Sequence, residues 1–136
     1  MKNVLVVEDD AHVREALASI LSYDLGCEVV RAENGLEALE SLAGARPDLI
    51  ITDFMMPVMD GADFAKAVRK KQGYAAVPIL MLSALPSEFA QQHGTVFNKW
   101  LRKPIEIRVL LEAVEHLLSP PRRHTLGDAT GSTRRI

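Results

Sequence analysis

Residues 49–61 read Leu49-Ile50-Ile51-Thr52-Asp53-Phe54-Met55-Met56-Pro57-Val58-Met59-Asp60-Gly61. Residues 49–52 are apolar almost throughout, the pattern of a strand buried on both faces of a parallel sheet. The strand ends on an acid, Asp53. Seven residues later Asp60-Gly61 opens a helix. Asp60 is suited to cap it, since a carboxylate at that position accepts from amides the first turn leaves unpaired. Phe64, Ala65 and Val68 recur at helical spacing as its inner face. Gln72 and Gly73 end it.

The same alternation extends in both directions. Upstream, Asn3–Val7 is an apolar strand, followed by Asp10 as a helix cap and by Val13, Ala16, Leu17, Ile20 and Leu21 at helical spacing. Residues 27–32 read as a second strand, Asn34-Gly35 as a turn, and Leu36, Leu39 and Leu42 as a second helix. Arg46-Pro47 breaks that helix, because proline disfavours helical backbone in the residue before it. Downstream, residues 78–82 form a fourth strand, 86–93 a short helix and 96–101 a fifth strand. After Pro104, Ile107, Leu110, Leu111, Val114, Leu117 and Leu118 mark one face of a last helix. Strands alternating with helices imply right-handed crossovers and a parallel sheet covered on both sides, so the class is α/β.

From residue 119 the composition turns to Gly, Ser, Thr, Pro and Arg, with little to bury. Residues 119–136 therefore read as a disordered, Arg-containing tail on a folded domain of residues 1–118. The domain carries 12 Lys/Arg against 17 Asp/Glu, whereas the tail carries four Arg against Asp128. A body with that excess of acid offers no broad cationic face, which argues against direct nucleic-acid binding. No apolar run approaches the roughly 20 residues of a membrane span, and no leader pattern opens the chain. Cys27 is the sole cysteine, which excludes an internal disulfide and suits a cytoplasmic protein. No second folding unit follows residue 118, so the chain reads as a stand-alone unit or as one cut from a longer protein.

Ligands of a parallel α/β sheet bind at the carboxyl ends of its strands. The polar residues there are Glu8, Asp9 and Asp10 after the first strand, Asp53 after the third, Ser83 after the fourth and Lys103 after the fifth. Three carboxylates crowded together repel one another and raise each other's pKa. A hard divalent cation relieves that repulsion, and oxygen ligands without His or Cys point to Mg²⁺. Such a site suits phosphoryl transfer. Asp53 can act as nucleophile and form an aspartyl phosphate. Lys103 can pair with a phosphoryl oxygen, and Ser83 can donate to another. Taken singly these residues say little. Asp10 and Asp60 read as caps, and His12, His93, His116 and His124 show no ligand spacing. Trp100 reads equally as a packed residue and as a moving one.

Four segments taken together resemble the receiver domains of two-component response regulators, chemotaxis regulators among them. They are Val4-Leu5-Val6-Val7-Glu8-Asp9-Asp10, residues 53–61, Ser83-Ala84 and Lys103-Pro104, and the resemblance covers residues 3–118. It implies a flavodoxin-like, doubly wound five-stranded parallel sheet of order 2-1-3-4-5 with five helices. It also implies Asp53 as the phosphoacceptor, served by a sensor histidine kinase or a histidine phosphotransfer protein. Asp9, Asp53 and the Met55 backbone carbonyl would hold Mg²⁺ directly, with Glu8 acting through water. Ser83 and Lys103 would contact the phosphoryl group, Trp100 would stand at the aromatic switch position, and the Lys103-Pro104 peptide would be cis. The output would be a signalling switch rather than a classical enzyme. It would act through the fourth helix, fifth strand and fifth helix on a downstream protein not named by the sequence, as a monomer or a phosphorylation-dependent dimer.

Three features depart from the family pattern. The stretch from Ser83 to Lys103 is short. Gly94-Thr95-Val96-Phe97-Asn98-Lys99 stands where Gly-Ala-Asp-Asp is common, and Trp100 where Tyr or Phe is usual. Two other functions share part of the chemistry. A haloacid-dehalogenase-type phosphatase also uses an aspartyl phosphate, but carries a second Asp two residues on, where this chain has Met55. A flavin or nucleotide module on the same fold lacks a counterpart here for its Gly-rich phosphate loop. A receiver that has lost its chemistry and only docks would not need the full set of Asp9, Asp53, Ser83 and Lys103.

Overall fold

Val4 to Val7, Leu49 to Ile51 and Ile79 to Leu82 are apolar at every position, so both faces of these strands must be covered. A computed structural model describes residues 1–86, 88–92 and 96–119 and places those strands at the centre of the sheet. The elements are β1 (Asn3–Val7), α1 (Ala11–Leu25), β2 (Glu28–Ala32), α2 (Gly35–Ala45) and β3 (Leu49–Asp53). They continue with α3 (Gly61–Lys70), β4 (Ile79–Ser83), α4 (Glu88–Gln92), β5 (Lys99–Arg102) and α5 (Ile107–Leu118). All strand pairs are parallel, in the order β2-β1-β3-β4-β5. The fold is the flavodoxin-like one.

Side chains alternate across each strand and so feed two cores. Val4, Val6, Leu49, Ile51, Leu80 and Leu82 face α1 and α5, where they meet Leu17, Leu21, Leu110 and Val114. Leu5, Val7, Ile50 and Ile79 face the opposite way and meet Phe64, Ala65 and Val68 of α3. Helix starts follow local chemistry. Asp10 accepts from the amides of His12 and Val13, Asn34 from Glu37, and Asp60 from Asp63. Asn34 is thus a helix cap rather than part of a free turn. α1 ends at Gly26, whose left-handed backbone (φ 67°) costs a residue without Cβ nothing.

Four expectations are corrected. Ala16 is exposed and Ala18 is buried in its place, because the sheet-facing arc of α1 centres on Leu17, Ala18 and Leu21. Leu36 and Ile107 are half exposed, at 50% and 53%. Both lie in the first turns of their helices, α2 and α5. The fifth strand begins at Lys99 rather than at residue 96. Asn98 is the reason: its side-chain oxygen takes the Ile79 amide at 2.9 Å and its own amide donates to the Ile79 carbonyl at 2.8 Å. The side chain thereby replaces a rung of the ladder, while Val96 and Phe97 turn into the α3 side of the core. The expected tail lies outside the described residues apart from Ser119.

Candidate phosphoacceptor site

The carboxyl edge of the sheet gathers the acids the sequence places at strand ends. Glu8 follows β1 and is 2% exposed, Asp53 closes β3 at 7%, and Asp9 is exposed. One carboxylate oxygen from each of Glu8, Asp9 and Asp53 lies within 4.8 Å of the others. Lys103, beyond β5, reaches across the sheet edge with Nζ 3.2 Å from Glu8 Oε1 and 3.3 Å from Asp53 Oδ1. The Lys103–Pro104 peptide is cis. Ser83, fully buried, ends β4 one residue past Leu82, the register partner of Asp53. Its carbonyl accepts from the Lys103 amide at 2.8 Å, and its Oγ accepts from the Leu85 amide at 3.0 Å.

Electrostatics sets the state of this cluster. Burial pushes the Asp53 carboxyl above its ordinary range, against the pull of Lys103 and the Phe54 amide, which donates to Asp53 Oδ1 at 3.0 Å. Glu8 is likewise pushed up, chiefly by burial and further by the Asp53 charge. Burial alone would lower Lys103, but the Asp53 and Glu8 carboxylates outweigh it and raise the ammonium. Lys103 therefore serves as an internal counter-ion for acids that water reaches poorly.

The donor set fits a hard divalent cation. Opposite ligands of an octahedral Mg²⁺ stand about 4 Å apart, twice a bond of about 2 Å, comparable with the spread of the three carboxylates. Asp9 makes no side-chain hydrogen bond among the described residues, so its oxygens are available. Both Glu8 oxygens already have protein donors, Lys103 Nζ on Oε1 and the Asp10 amide on Oε2 at 3.1 Å. Met55, two residues past Asp53, lies at the mouth with a largely exposed side chain.

Trp100 packs in a small cluster with Phe54, Ala62, Met81, Leu85 and Phe97. Its ring stands 5.7 Å from that of Phe54 and 5.5 Å from that of Phe97, tilted by 48° in both cases. Its Nε1 is buried with no hydrogen-bond partner among the described residues. The sequence points to Trp100 but not to the flanking rings, whose only signal was an aromatic at positions 54 and 97. Arg14 was also missed; its Nη1 donates to the Glu8 carbonyl at 2.8 Å. His12 and His116 are exposed, and His93 and His124 lie outside the described residues. No helix among the described residues is long and apolar enough to cross a membrane.

Comparison with known proteins places these features in a family. The response regulator receiver domain family matches residues 4–115. The chain is 39% identical over 118 residues to the sensor histidine kinase TmoS of Ectopseudomonas mendocina, covering 85% of this chain but spanning only 12% of that protein's length. Its fold is similar to the chemotaxis response regulator CheY4 of Vibrio cholerae, with a TM-score of 0.81 and 40% identity, covering 87% of this chain and 99% of the other. It is also similar to the response regulator TrrA of Thermotoga maritima, solved in complex with Mg²⁺-BeF. That match has a TM-score of 0.78 and 33% identity, and covers 87% of this chain and all of the other.

Proposed function

Because this chain belongs to the response regulator receiver domain family, we propose that it takes a phosphoryl group onto Asp53 and so switches a surface read by a partner protein. The donor is a phosphohistidine of a sensor histidine kinase or histidine phosphotransfer protein. An Asp53 carboxylate oxygen attacks phosphorus; the bond from phosphorus to the donor imidazole nitrogen breaks, and its electron pair stays with the imidazole. The supporting observation is the convergence of the Glu8, Asp9 and Asp53 oxygens within 4.8 Å, with the Lys103 ammonium 3.3 Å from Asp53. Asp9, Asp53 and the Met55 carbonyl would hold Mg²⁺, with Glu8 acting through water, and the bound ion would supply positive charge to the transferring oxygens. Lys103 moves its ion pair from the carboxylate to the phosphoryl group, and Ser83 Oγ donates to another phosphoryl oxygen. These new charge-assisted bonds bias the packing of α4, β5 and α5. In this reading residues 1–118 are the receiver domain. The protein works in the cytoplasm, as a monomer or a phosphorylation-dependent dimer, and catalyses only its own phosphorylation and dephosphorylation.

A labelled small-molecule phosphodonor tests this. With Mg²⁺ it should deposit one phosphoryl group per chain in a hydroxylamine-labile acyl linkage, and EDTA should prevent it. Labelling that survives EDTA, or a hydroxylamine-stable ester, contradicts the proposal.

Asp9→Ala should weaken Mg²⁺ binding more than Glu8→Ala, because the Asp9 oxygens are free while those of Glu8 are engaged. Titration calorimetry measures both, and equal losses would remove the distinction between direct and water-mediated ligands.

Trp100 is the sole tryptophan, so fluorescence reports its cluster alone. Mg²⁺ with beryllofluoride should shift its emission and lower its access to a quencher, since the indole packs between Phe54 and Phe97 in a cluster that a second packing would rearrange. Flat emission at confirmed occupancy would make Trp100 a fixed core residue.

A further inference from the structure

The β1–α1 connection is fixed at every residue but one. The Glu8 amide donates to the Ala32 carbonyl at 3.0 Å, and the Asp10 amide to Glu8 Oε2 at 3.1 Å. Asp10 is further fixed as the cap of α1, with its carbonyl accepting from the Arg14 amide at 2.9 Å. Asp9 stands between them, exposed and with no side-chain hydrogen bond among the described residues. The direction in which its side chain leaves the backbone is therefore set in part by the peptide plane that joins it to Glu8. The carbonyl of that peptide accepts from Arg14 Nη1 at 2.8 Å, a bond that is partly buried. Arg14 lies one turn into α1, so its side chain folds back over the helix start and ties the loop to the helix.

We propose that Arg14 is a positioning residue for the metal site: by holding the Glu8 carbonyl it orients the Glu8–Asp9 peptide and presents the Asp9 carboxylate toward Asp53. The inference rests on the reading that Glu8, Asp9 and Asp53 bind Mg²⁺, and it goes beyond the residues that touch the ion. Two effects of Arg14 on the ion have opposite signs. Its positive charge repels Mg²⁺, so losing the charge alone would tighten binding. Its hydrogen bond organises a ligand, so losing the bond loosens binding. Groups that orient metal ligands from behind typically change affinity by about 10- to 100-fold when removed. Orientation is the larger effect here, because the guanidinium holds the Glu8 carbonyl at 2.8 Å, in the peptide bonded directly to Asp9.

The test is Mg²⁺ titration by calorimetry and by Trp100 fluorescence on the wild-type protein and on Arg14→Ala, Arg14→Gln and Arg14→Lys, with metal-free melting temperatures alongside. Arg14→Ala should weaken Mg²⁺ binding about tenfold or more. Arg14→Lys, which keeps a charged donor, should restore part of the affinity. Arg14→Gln, which keeps a donor and loses the charge, should bind more tightly than Arg14→Ala. A purely structural role would lower the melting temperature of all three without this ordering. Unchanged or tighter binding by Arg14→Ala, or equal binding by the Ala and Gln variants, overturns the proposal. If the wild-type protein binds no Mg²⁺, the metal-site reading itself has failed.

Discussion

Asp53→Ala should reduce labelling by a phosphodonor to background and, in the metal-free protein near neutral pH, raise the melting temperature. The first effect follows from removing the nucleophile: Glu8 has both oxygens engaged, and Asp9 alone lacks a lysine partner among the described residues. The second follows from linkage. Burial raises the Asp53 carboxyl in the folded state, so the folded protein holds that proton more tightly than the unfolded chain. The resulting penalty is absent below the unfolded value. It grows as pH rises from the unfolded to the folded value and persists at neutral pH. Alanine removes it and relieves the charge that helps push Glu8 upward. Melting curves of the two proteins at acidic and neutral pH measure the difference, which should shrink in acid. A lower melting temperature at neutral pH would show that the Lys103 pair outweighs the burial cost.

Gly61→Ala should destabilise the domain more than any other glycine-to-alanine change at the described glycines. A Cβ there would meet the Asp53 carbonyl oxygen at 2.5 Å, Met81 Sδ at 2.7 Å and the Phe54 Cα at 2.8 Å. The thioether can rotate away, but the two backbone atoms cannot. The Gly61 amide also donates to the Phe54 carbonyl at 2.7 Å, which anchors α3 against the end of β3. Relief therefore requires lifting α3 from the strand that carries Asp53. Overpacking of this kind costs about 1–3 kcal/mol or more, a drop of about 5–15 °C in melting temperature for a domain of this size. Gly44 in α2 is the control. It has nothing within 4 Å of an added Cβ, so Gly44→Ala should stabilise by about 0.5–1 kcal/mol through helix propensity. Similar effects from the two substitutions would show that the contact at Gly61 yields easily.

The sheet was legible in the sequence where strands are buried on both faces. Val4 to Val7, Leu49 to Ile51 and Ile79 to Leu82 are apolar throughout, and a polar residue at each end marks where the strand leaves the core. The same logic placed Glu8, Asp9, Asp53 and Lys103 at one edge, and the structure brings them together. The start of β5 was not legible, because Asn98 substitutes a side-chain oxygen for a backbone partner on Ile79. That is a contact between positions 19 apart, with no local signature. The same holds for the rings on either side of Trp100, which come from positions 54 and 97. Arg14 escaped notice for a different reason. On α1 it reads as one of many solvated charges, and only the backward reach of its side chain to the Glu8 carbonyl distinguishes it.

The central claim is that Asp53 carries the phosphoryl group. The direct measurement is to treat the phosphodonor-labelled protein with borohydride, which reduces an aspartyl phosphate to homoserine with release of phosphate, and to map the modified residue by peptide mass spectrometry. The account predicts homoserine at position 53 alone, present with Mg²⁺ and missing with EDTA. Homoserine at position 9 or 60, or phosphate that stays on a residue borohydride cannot reduce, would contradict it.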